Sequence, residues 1–332
     1  MPGRAASFLI AICLVAAMLL PAALEATGQD NLICLATRVA IYGLAALSLN
    51  FILGYGGMVS FGHAAYFGVG AYVIGVLSFH SFEGSTVFGL PGSDAAFITW
   101  PLAILVSALA ALVLGYLSLR TSGVFFIMIT LAFAQMLFFL FVSLERYGGD
   151  DGVIMYNGRN TLPGLDLGND ATLYYVSLAV LVLFAVLFAV MVRSRFGMVL
   201  QAIKQNEARM LAIGCDVRRY KLTAFVIAGA VAGLAGVLNA NLTEFVSPDY
   251  LHWTKSGDLM IMVVFGDMST ISGPIVGAAA FLMLEEFLPA IMEGGGLGDY
   301  KEHWRIVFGP LLILVVLFAR GGIVGLFRGA PR

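Results

Sequence analysis

Charged residues are scarce in this chain of 332 residues, since Asp, Glu, Lys and Arg together make up only 11% of it. A soluble domain has roughly 25% charged residues, which form the surface that faces water. Hydrophobic residues instead make up 60% of the chain, and its mean hydropathy is +0.95. No polar stretch is long enough to form a separate soluble domain. The composition predicts a single transmembrane domain over residues 1–332, and it gives no indication of a nucleic-acid partner.

Motifs that carry chemistry are also missing. The three cysteines show no CxxC spacing, and the four histidines are scattered, so neither a disulfide framework nor a metal site is predicted. There is no GxxxxGK[ST] phosphate loop, which means that the chain cannot hydrolyse ATP by itself. HExxH and GxSxG motifs are absent too. We therefore predict no catalytic residue and no cofactor in this chain.

Long apolar runs are what the sequence has in quantity. A helix needs about 20 apolar residues to cross the ~30 Å hydrocarbon core of a bilayer. These runs predict an all-α, polytopic membrane protein with about eight to ten transmembrane segments, including broken or re-entrant helices. The first run, which follows Arg4, also fits a signal peptide. The nine continuous runs are Phe8–Leu24, Leu32–Leu53, Ala64–Phe79, Ile98–Leu119, Gly123–Leu144, Thr172–Val192, Leu222–Ala240, Pro274–Met292 and Trp304–Ala319.

Two further stretches indicate helices that are interrupted within the membrane. Ser256–Phe265 is about half a span and precedes the irregular sequence GDMSTISGP. The glycine-rich stretch from Gly54 to His63 separates the second and third runs. Irregular backbone at membrane depth survives only beside protein or a water-filled cavity, and paired interruptions are typical of transport pathways. Two ordinary tight turns between helices are the alternative interpretation.

Basic residues are concentrated in one internal segment, Arg193–Lys221, which holds seven of the 18 Lys and Arg residues. Placing it in the cytoplasm and alternating outward puts 12 basic residues inside and five outside, with Arg38 in the second span. This bias follows the positive-inside rule and predicts that both termini are cytoplasmic. Two termini on the same side of the membrane require an even number of crossings. Because nine runs are continuous, the half-span at Ser256–Phe265 is predicted to supply the tenth crossing.

The basic segment has the pattern of a helix lying along the membrane surface. Over Met198–Ile213 the apolar residues and the polar residues fall on different faces. Gly214 is a predicted C-terminal stop, and Asp216 is a predicted N-cap for the next helix. An amphipathic anchor without a partner fits this pattern as well. The apolar face carries Phe196, Val199, Ile203 and Met210, and the polar face carries Gln201, Lys204, Gln205 and Arg209.

Few charges fall within the predicted spans, although ion-coupled carriers usually bury acids near the bilayer centre. Arg38, Asp258, Glu285 and Glu286 all lie toward the outer half in this topology, where they can reach the interface. Pairing of Arg38 with Glu285 or Glu286 is the alternative. Energy for transport would therefore come from outside this chain.

Four stretches together resemble the LivM-type membrane subunit of branched-chain amino acid ABC transporters. They read LNFILGYGGMVSFGHAAYFGVGAYV (Leu49–Val73), TSGVFFIMITLAFAQ (Thr121–Gln135), AIKQNEARMLAIGCDVRRYKLTAFVIAGAVAGLAGVL (Ala202–Leu238) and IMVVFGDMSTISGPIVGAA (Ile261–Ala279). The resemblance implies a non-enzymatic permease of the bacterial inner membrane, in contact with membrane lipid. It also implies four partners: a homologous second permease subunit, two cytoplasmic ATPase subunits that bind ATP and Mg, and a periplasmic solute-binding protein.

The resemblance also assigns roles to residues of the basic segment, which becomes a cytoplasmic coupling loop over residues 193–221. The family's ATPase-docking signature matches Glu207, Ala208 and Gly214, with Arg209 where a second alanine is common. A second departure is Gly266-Asp267-Met268-Ser269, where the family generally resembles Gly-Gly-x-Gly. This change predicts a stiffer turn and adds a charge near the inner mouth.

The implied function is translocation of branched-chain or related hydrophobic amino acids. Permeases for urea, short amides or other amino acids remain alternatives, as does a passive channel. A membrane-embedded enzyme acting on a lipid or isoprenoid would need clustered acids or histidines, which the sequence lacks. Candidates for the lining of the substrate path are Gly56, Gly57, Ser60, His63, Thr130 and Gln135, although packing roles fit these positions equally well.

Overall fold

The computed structural model describes residues 16–22, 24, 30–87, 89–294, 306, 309–310, 313 and 322–328. The described chain is almost entirely helical, and the polytopic all-α architecture predicted from composition is confirmed. The helices are α1 (Asp30–Asn50), α2 (His63–Glu83), α3 (Ala96–Ser118), α4 (Val124–Val142), α5 (Asp170–Arg193), α6 (Arg195–Gln205), α7 (Glu207–Ala212), α8 (Val217–Thr243), α9 (Trp253–Gly266), α10 (Gly273–Gly294) and α11 (Gly322–Arg328).

Six helices of the described chain are long and apolar enough to cross a membrane. They are α1 with its extension to Tyr55, α2, α3, α4, α5 and α8, and each matches one of the predicted runs. The run predicted at Pro274–Met292 forms α10. Most of the runs Phe8–Leu24 and Trp304–Ala319 lie outside the described residues, as does the choice between a signal peptide and a first span.

Helices α1, α2 and α8 form the core, whereas α3, α4 and α5 expose large apolar side chains. Small residues allow the core helices to approach closely. A side chain at Gly70 would overlap the backbone of Gly233, and one at Gly236 would overlap the carbonyl of Phe67. Gly229 of α8 packs against Ala111. The glycines of α8, Gly229, Gly233 and Gly236, therefore serve packing within the chain.

The chain after α8 folds back into the bundle instead of forming an external loop. Val246 lies against Gly75 of α2, and Leu251 lies against Gly68. The Ser256 hydroxyl then accepts a hydrogen bond from the backbone N–H of Ala64, at 2.9 Å. The segment thus runs antiparallel to α2 until it reaches the start of that helix. Helix α9 begins just before this point and its first turn packs against the start of α2, so the half-span predicted at Ser256–Phe265 is a short helix.

The predicted interruption after α1 is also present, and it has an irregular geometry. Helix α1 continues as a π-helix over Phe51–Tyr55, and the backbone then leaves helical geometry until α2 begins at His63. The His63 ring lies 2.8 Å from the Ser48 hydroxyl, measured at Nε2. Helix α2 therefore starts level with Ser48, which lies before the end of α1. Residues 56–62 form the returning arm of a re-entrant loop.

Short strands and ion pairs close the end of the bundle opposite the basic segment. Strand β3 (Val153–Ile154) pairs antiparallel with β4 (Phe245–Val246), and β1 (Thr86–Val87) pairs with β2 (Leu90–Pro91). The guanidinium of Arg159 contacts both Asp170 and Glu244. In the bundle itself, Arg38 and Glu285 form an ion pair at 3.5 Å, which is the alternative considered for these charges.

Candidate functional site

The basic segment forms two helices, so the prediction of one helix over Met198–Ile213 is wrong. Helix α6 ends at Gln205, and α7 begins at Glu207. Asn206 lies between them in an extended conformation, and its side chain accepts a hydrogen bond from the backbone N–H of Arg209 at 2.9 Å. Asparagine is a favoured N-cap because its side chain satisfies a free N–H of the first turn. This cap signal was present in the sequence.

The two ends of the basic segment follow the prediction. Gly214 has φ +83, the left-handed conformation that glycine adopts readily at a helix stop. The Asp216 carboxylate accepts a hydrogen bond from the N–H of Arg219 and caps α8. The segment is therefore bounded on one side by α5, which ends at Arg193, and on the other by α8.

The four predicted docking residues lie on the exposed side of the segment. Glu207, Ala208, Arg209 and Gly214 are all exposed. Glu207 also forms an ion pair with Lys221 at the start of α8, with 2.7 Å between Oε2 and Nζ. The pair ties α7 to a core helix while leaving Ala208 and Arg209 free to meet a partner surface.

The buried side of α6 packs against the interrupted end of α1. Leu200 and Ile203 are fully or almost fully buried, and the Phe196 ring stacks with Phe51, which lies in the π-helix. Lys204 donates a hydrogen bond from its ammonium group to the carbonyl oxygen of Gly54. The stem of Lys204 also covers Gly57, where a side chain would be 2.9 Å from Cγ. The basic segment and the first interrupted helix are thus in direct contact.

The two irregular stretches contact each other as well. The Asn50 side chain donates to the carbonyl of Thr270 at 2.9 Å, and the Tyr55 hydroxyl donates to the carbonyl of Ser269 at 3.4 Å. Gly54 faces the carbonyl of Met268 so closely that a Cβ could not fit. Contacts therefore lead from α6 through the π-helix to the turn between α9 and α10.

Asp267, which replaces a glycine of the family pattern, has an uncommon backbone conformation. Its φ is 129, a region that L residues rarely adopt. Its carboxylate accepts hydrogen bonds from the Ser269 N–H at 2.8 Å and from the Ser269 hydroxyl at 2.7 Å. The Asp267 carboxylate, which is the charge predicted near the inner mouth, therefore makes these hydrogen bonds within the turn and caps its backbone.

Three of the six predicted path residues lie together. Ser60 and His63 are fully buried, and Thr130 of α4 is 3% exposed. The Thr130 hydroxyl accepts a hydrogen bond from the N–H of Phe61 at 3.3 Å, which joins α4 to the returning arm. The starts of α2 and α9 meet here, since Ser256 bonds with Ala64. The two helix N-termini place backbone dipoles of the same sign at one point inside the bundle.

The other three predicted path residues lie elsewhere. Gly57 is exposed and lies under Lys204, and Gly56 precedes it in the turn beside α6. Gln135 has a buried side-chain nitrogen that finds no hydrogen-bond partner among the described residues. Sequence reasoning missed four polar residues that make the contacts in this region: Ser48, Asn50, Ser256 and Thr270. Asn50 and Ser48 stand in a strongly apolar run, which was the available signal.

Comparisons with known proteins agree with this architecture. A family model described as "Branched-chain amino acid transport system / permease component" matches residues 31–316. The chain is 26% identical to the high-affinity branched-chain amino acid transport permease protein LivM of Escherichia coli K12, over 95% of this chain and 75% of that protein. It is 27% identical to LivM of Salmonella typhimurium, over 89% of this chain and 70% of the relative.

A second group of relatives carries the name LivH. The LivH permease protein of E. coli K12 is 23% identical over 87% of this chain and 92% of its own length. No solved structure matches the chain. The family match covers most of the chain, including both interrupted stretches and the basic segment, and the chain belongs to the family of branched-chain amino acid transport permease components.

Proposed function

We propose that this chain is the permease subunit of an ABC importer for branched-chain or related hydrophobic amino acids. It would lie in a bacterial inner membrane with the basic segment and both termini in the cytoplasm. Its partners would be a homologous second permease subunit of the LivH kind, two ATPase subunits that bind ATP and Mg, and a periplasmic solute-binding protein. Family membership and the names of the relatives support this proposal.

The observation that carries the coupling part of the proposal is the contact between the basic segment and the interrupted end of α1. Exposed residues of α7 face away from the bundle, whereas Lys204 of α6 bonds with Gly54 in the π-helix. A partner that docks on α7 can therefore push or pull on α1 without touching any membrane-spanning helix. This arrangement suits a permease that obtains its energy from soluble ATPases.

The contacts that continue from Gly54 suggest how the movement reaches the substrate path. Gly54 lies against the turn between α9 and α10, and Asn50 is bonded to that turn. A shift of α6 would move the inner ends of both re-entrant segments together. Their other ends, at His63 and Ser256, lie in a fully buried region in this conformation. Nucleotide binding can favour an open state only by having different affinities for the open and closed states.

The substrate region has properties that suit passage rather than tight retention. Ser60, His63, Thr130 and Ser256 provide hydroxyl and imidazole groups, and no Asp, Glu, Lys or Arg side chain is among them. An amino acid zwitterion would be met by weakly polar groups and by the N-terminal dipoles of α2 and α9. Specificity would then rest mainly on the solute-binding protein.

The test is reconstitution of the chain in proteoliposomes with its LivH-type partner, the ATPase subunits and the binding protein. We expect uptake of leucine, isoleucine or valine that needs both ATP and the binding protein. Proteoliposomes that contain this chain alone are the matched control and are expected to be inactive. Uptake by the chain alone would contradict the importer and favour a passive channel. Uptake that requires ATP but prefers urea or a short amide would contradict the substrate class.

A further inference from the structure

Two arginines flank one aromatic ring at the end of the bundle where the basic segment lies. Tyr116 is in the last turn of α3, and Arg120 lies two residues beyond the end of that helix at Ser118. The guanidinium carbon of Arg120 is 5.1 Å from the centre of the Tyr116 ring. That of Arg218, from the first turn of α8, is 4.5 Å from the same centre. Residues far apart in sequence thus bring two positive charges to one ring.

Hydrogen bonds hold both guanidinium groups in place. Arg218 donates to the carbonyl oxygen of Tyr116 at 2.9 Å, and Arg120 donates to the Tyr116 hydroxyl at 3.4 Å. Acidic residues nearby have other partners, since Asp216 pairs with Arg219 and Glu207 pairs with Lys221. Within the described part of the chain, no carboxylate forms an ion pair with Arg120 or Arg218. The two fixed charges are therefore left for an anion from outside.

An apolar groove adjoins the two arginines on the outer surface of α3. It is a shallow and largely open depression, lined by Leu112, Val113, Tyr116 and Leu117 of this one helix. Between 41% and 50% of each of these side chains is exposed. Because α3 is one of the membrane-spanning helices, these side chains face hydrocarbon and not water. The groove can hold a hydrocarbon chain next to a charged site at the membrane surface.

We propose that this place binds an anionic phospholipid, with its phosphate between Arg120 and Arg218 and an acyl chain in the groove. A guanidinium group suits phosphate because its planar set of N–H donors matches two phosphate oxygens at once. Basic side chains at the ends of spans attract anionic lipids more generally. A free phosphate ion would use the arginines but would have no interaction with the groove.

The bound lipid would link the end of α3 to the start of α8. These helices already pack tightly there, since Gly115 faces the ring of Phe225 with no room for a side chain. Arg218 lies between Asp216, which caps α8, and Lys221, which pairs with Glu207 of the basic segment. A lipid at this point would help to hold α8 and the attached segment at a constant depth in the membrane. The proposal does not depend on the transported substrate or on the ATPases.

The experiment compares lipid binding of the purified full chain and its variants. The chain is delipidated in mild detergent and titrated with phosphatidylglycerol, phosphatidylcholine or inorganic phosphate, and bound lipid is counted by native mass spectrometry. For the double variant Arg120→Gln and Arg218→Gln we expect roughly 30-fold weaker binding of phosphatidylglycerol and a smaller loss for phosphatidylcholine, whose choline cation offsets the charge of its phosphate. Arg146→Gln is the matched control, because Arg146 is an exposed arginine at the opposite end of the bundle.

Two further variants distinguish a lipid phosphate from free inorganic phosphate, and they keep the proposal testable if the double variant misfolds. Val113→Trp fills the groove, and we expect it to weaken phosphatidylglycerol binding while leaving the arginines intact. The pair Arg120→Lys and Arg218→Lys keeps the charges but loses the planar donors, so intermediate binding is expected. Equal phosphatidylglycerol binding by the Gln double variant and the original chain would overturn the proposal. Competition by inorganic phosphate that is the same in Val113→Trp and in the original chain would also overturn it, because the site would then bind phosphate without the groove. A double variant that retains lipid but no longer co-purifies with the ATPases would overturn it as well.

Discussion

Lys204 donates a hydrogen bond to the carbonyl oxygen of Gly54, a residue 150 positions earlier in the chain. It joins the basic segment to the π-helix in which α1 loses regular hydrogen bonding. Gly54 lies in the last turn of this helix, where carbonyl groups have no partner within the helix, and π-helical turns are frequent at functional sites. Here the ammonium group of Lys204 supplies one of the partners. This contact is a place where a movement of the basic segment would reach α1.

Replacing Lys204 with methionine should weaken the coupling between the ATPase subunits and uptake. Lys204→Met keeps the stem over Gly57 but removes a hydrogen bond with a charged donor, which contributes about 1.5–3 kcal/mol. We expect ATP-dependent uptake to fall about tenfold or more in proteoliposomes, while the ATPase subunits still co-purify. Gln205→Met, at the exposed neighbouring position, is the control and should retain uptake. Equal uptake by the two variants would mean that the bond has no part in coupling.

Charge exchange between Glu207 and Lys221 can distinguish docking from internal stability. Because these residues pair with each other, Glu207→Lys alone both breaks the pair and alters the exposed surface. We expect this variant to assemble but to lose most uptake, whereas Lys221→Glu alone should lose little. The double exchange restores an ion pair with the opposite polarity, and we expect it to remain inactive in uptake. Recovery in the double exchange would show that Glu207 acts only through Lys221, and normal uptake in Glu207→Lys would exclude docking at this residue.

Alanine at Gly54 should destabilise the region where the two irregular stretches meet. A Cβ there would overlap the Asn50 side chain and the carbonyl of Met268, so the turn between α9 and α10 would have to move. Overpacking of this kind costs about 1–3 kcal/mol, and we expect a lower Tm for the purified protein in a thermal unfolding assay. Gly257→Ala is a matched control, since no other element of the described chain lies within 4 Å of its Cβ position and alanine favours the helix there. A Tm for Gly54→Ala as high as that of the control would contradict this packing.

Glycine at position 267 should relieve backbone strain. Asp267 has φ 129, and a residue held in such a region costs about 1–3 kcal/mol. Asp267→Gly removes the strain together with the bonds to Ser269, whereas Asp267→Ala loses the bonds and keeps the strain. We expect Asp267→Gly to have a Tm at least as high as the original chain and Asp267→Ala to have a lower one. Equal destabilisation by both variants would show that the bonds to Ser269 outweigh the strain.

Features that depend on local sequence could be predicted. Apolar runs located the six candidate spans of the described residues, because spanning helices must satisfy their own backbone groups. The short length of Ser256–Phe265 predicted a half-helix, and Gly214 and Asp216 predicted the boundaries of the basic segment. Pairing of Arg38 with Glu285 could be named as an alternative, because charges within spans are rare and costly.

Features that depend on contacts between distant segments could not be predicted. Pairing of Lys204 with Gly54 requires the depth at which α6 lies against α1, and no local pattern encodes that depth. The start of α2 beside Ser48 follows from the returning arm, whose course is set by Thr130 and Ser256 on other helices. The break at Asn206 could have been predicted, because asparagine is a favoured N-cap residue. The apolar periodicity of the segment concealed it, since one face continues across the break.

Helix α9 has 14 residues, which gives a length of about 21 Å, shorter than the ~30 Å of hydrocarbon that a spanning helix must cross. It could not be released into lipid alone during synthesis, because its first turn would leave backbone N–H groups without partners in the bilayer. Its order of appearance in the chain avoids this problem, since α2, which carries Ala64, is synthesised almost 200 residues before Ser256. We expect α9 to enter the membrane only by folding against helices that are already inserted, such as α2.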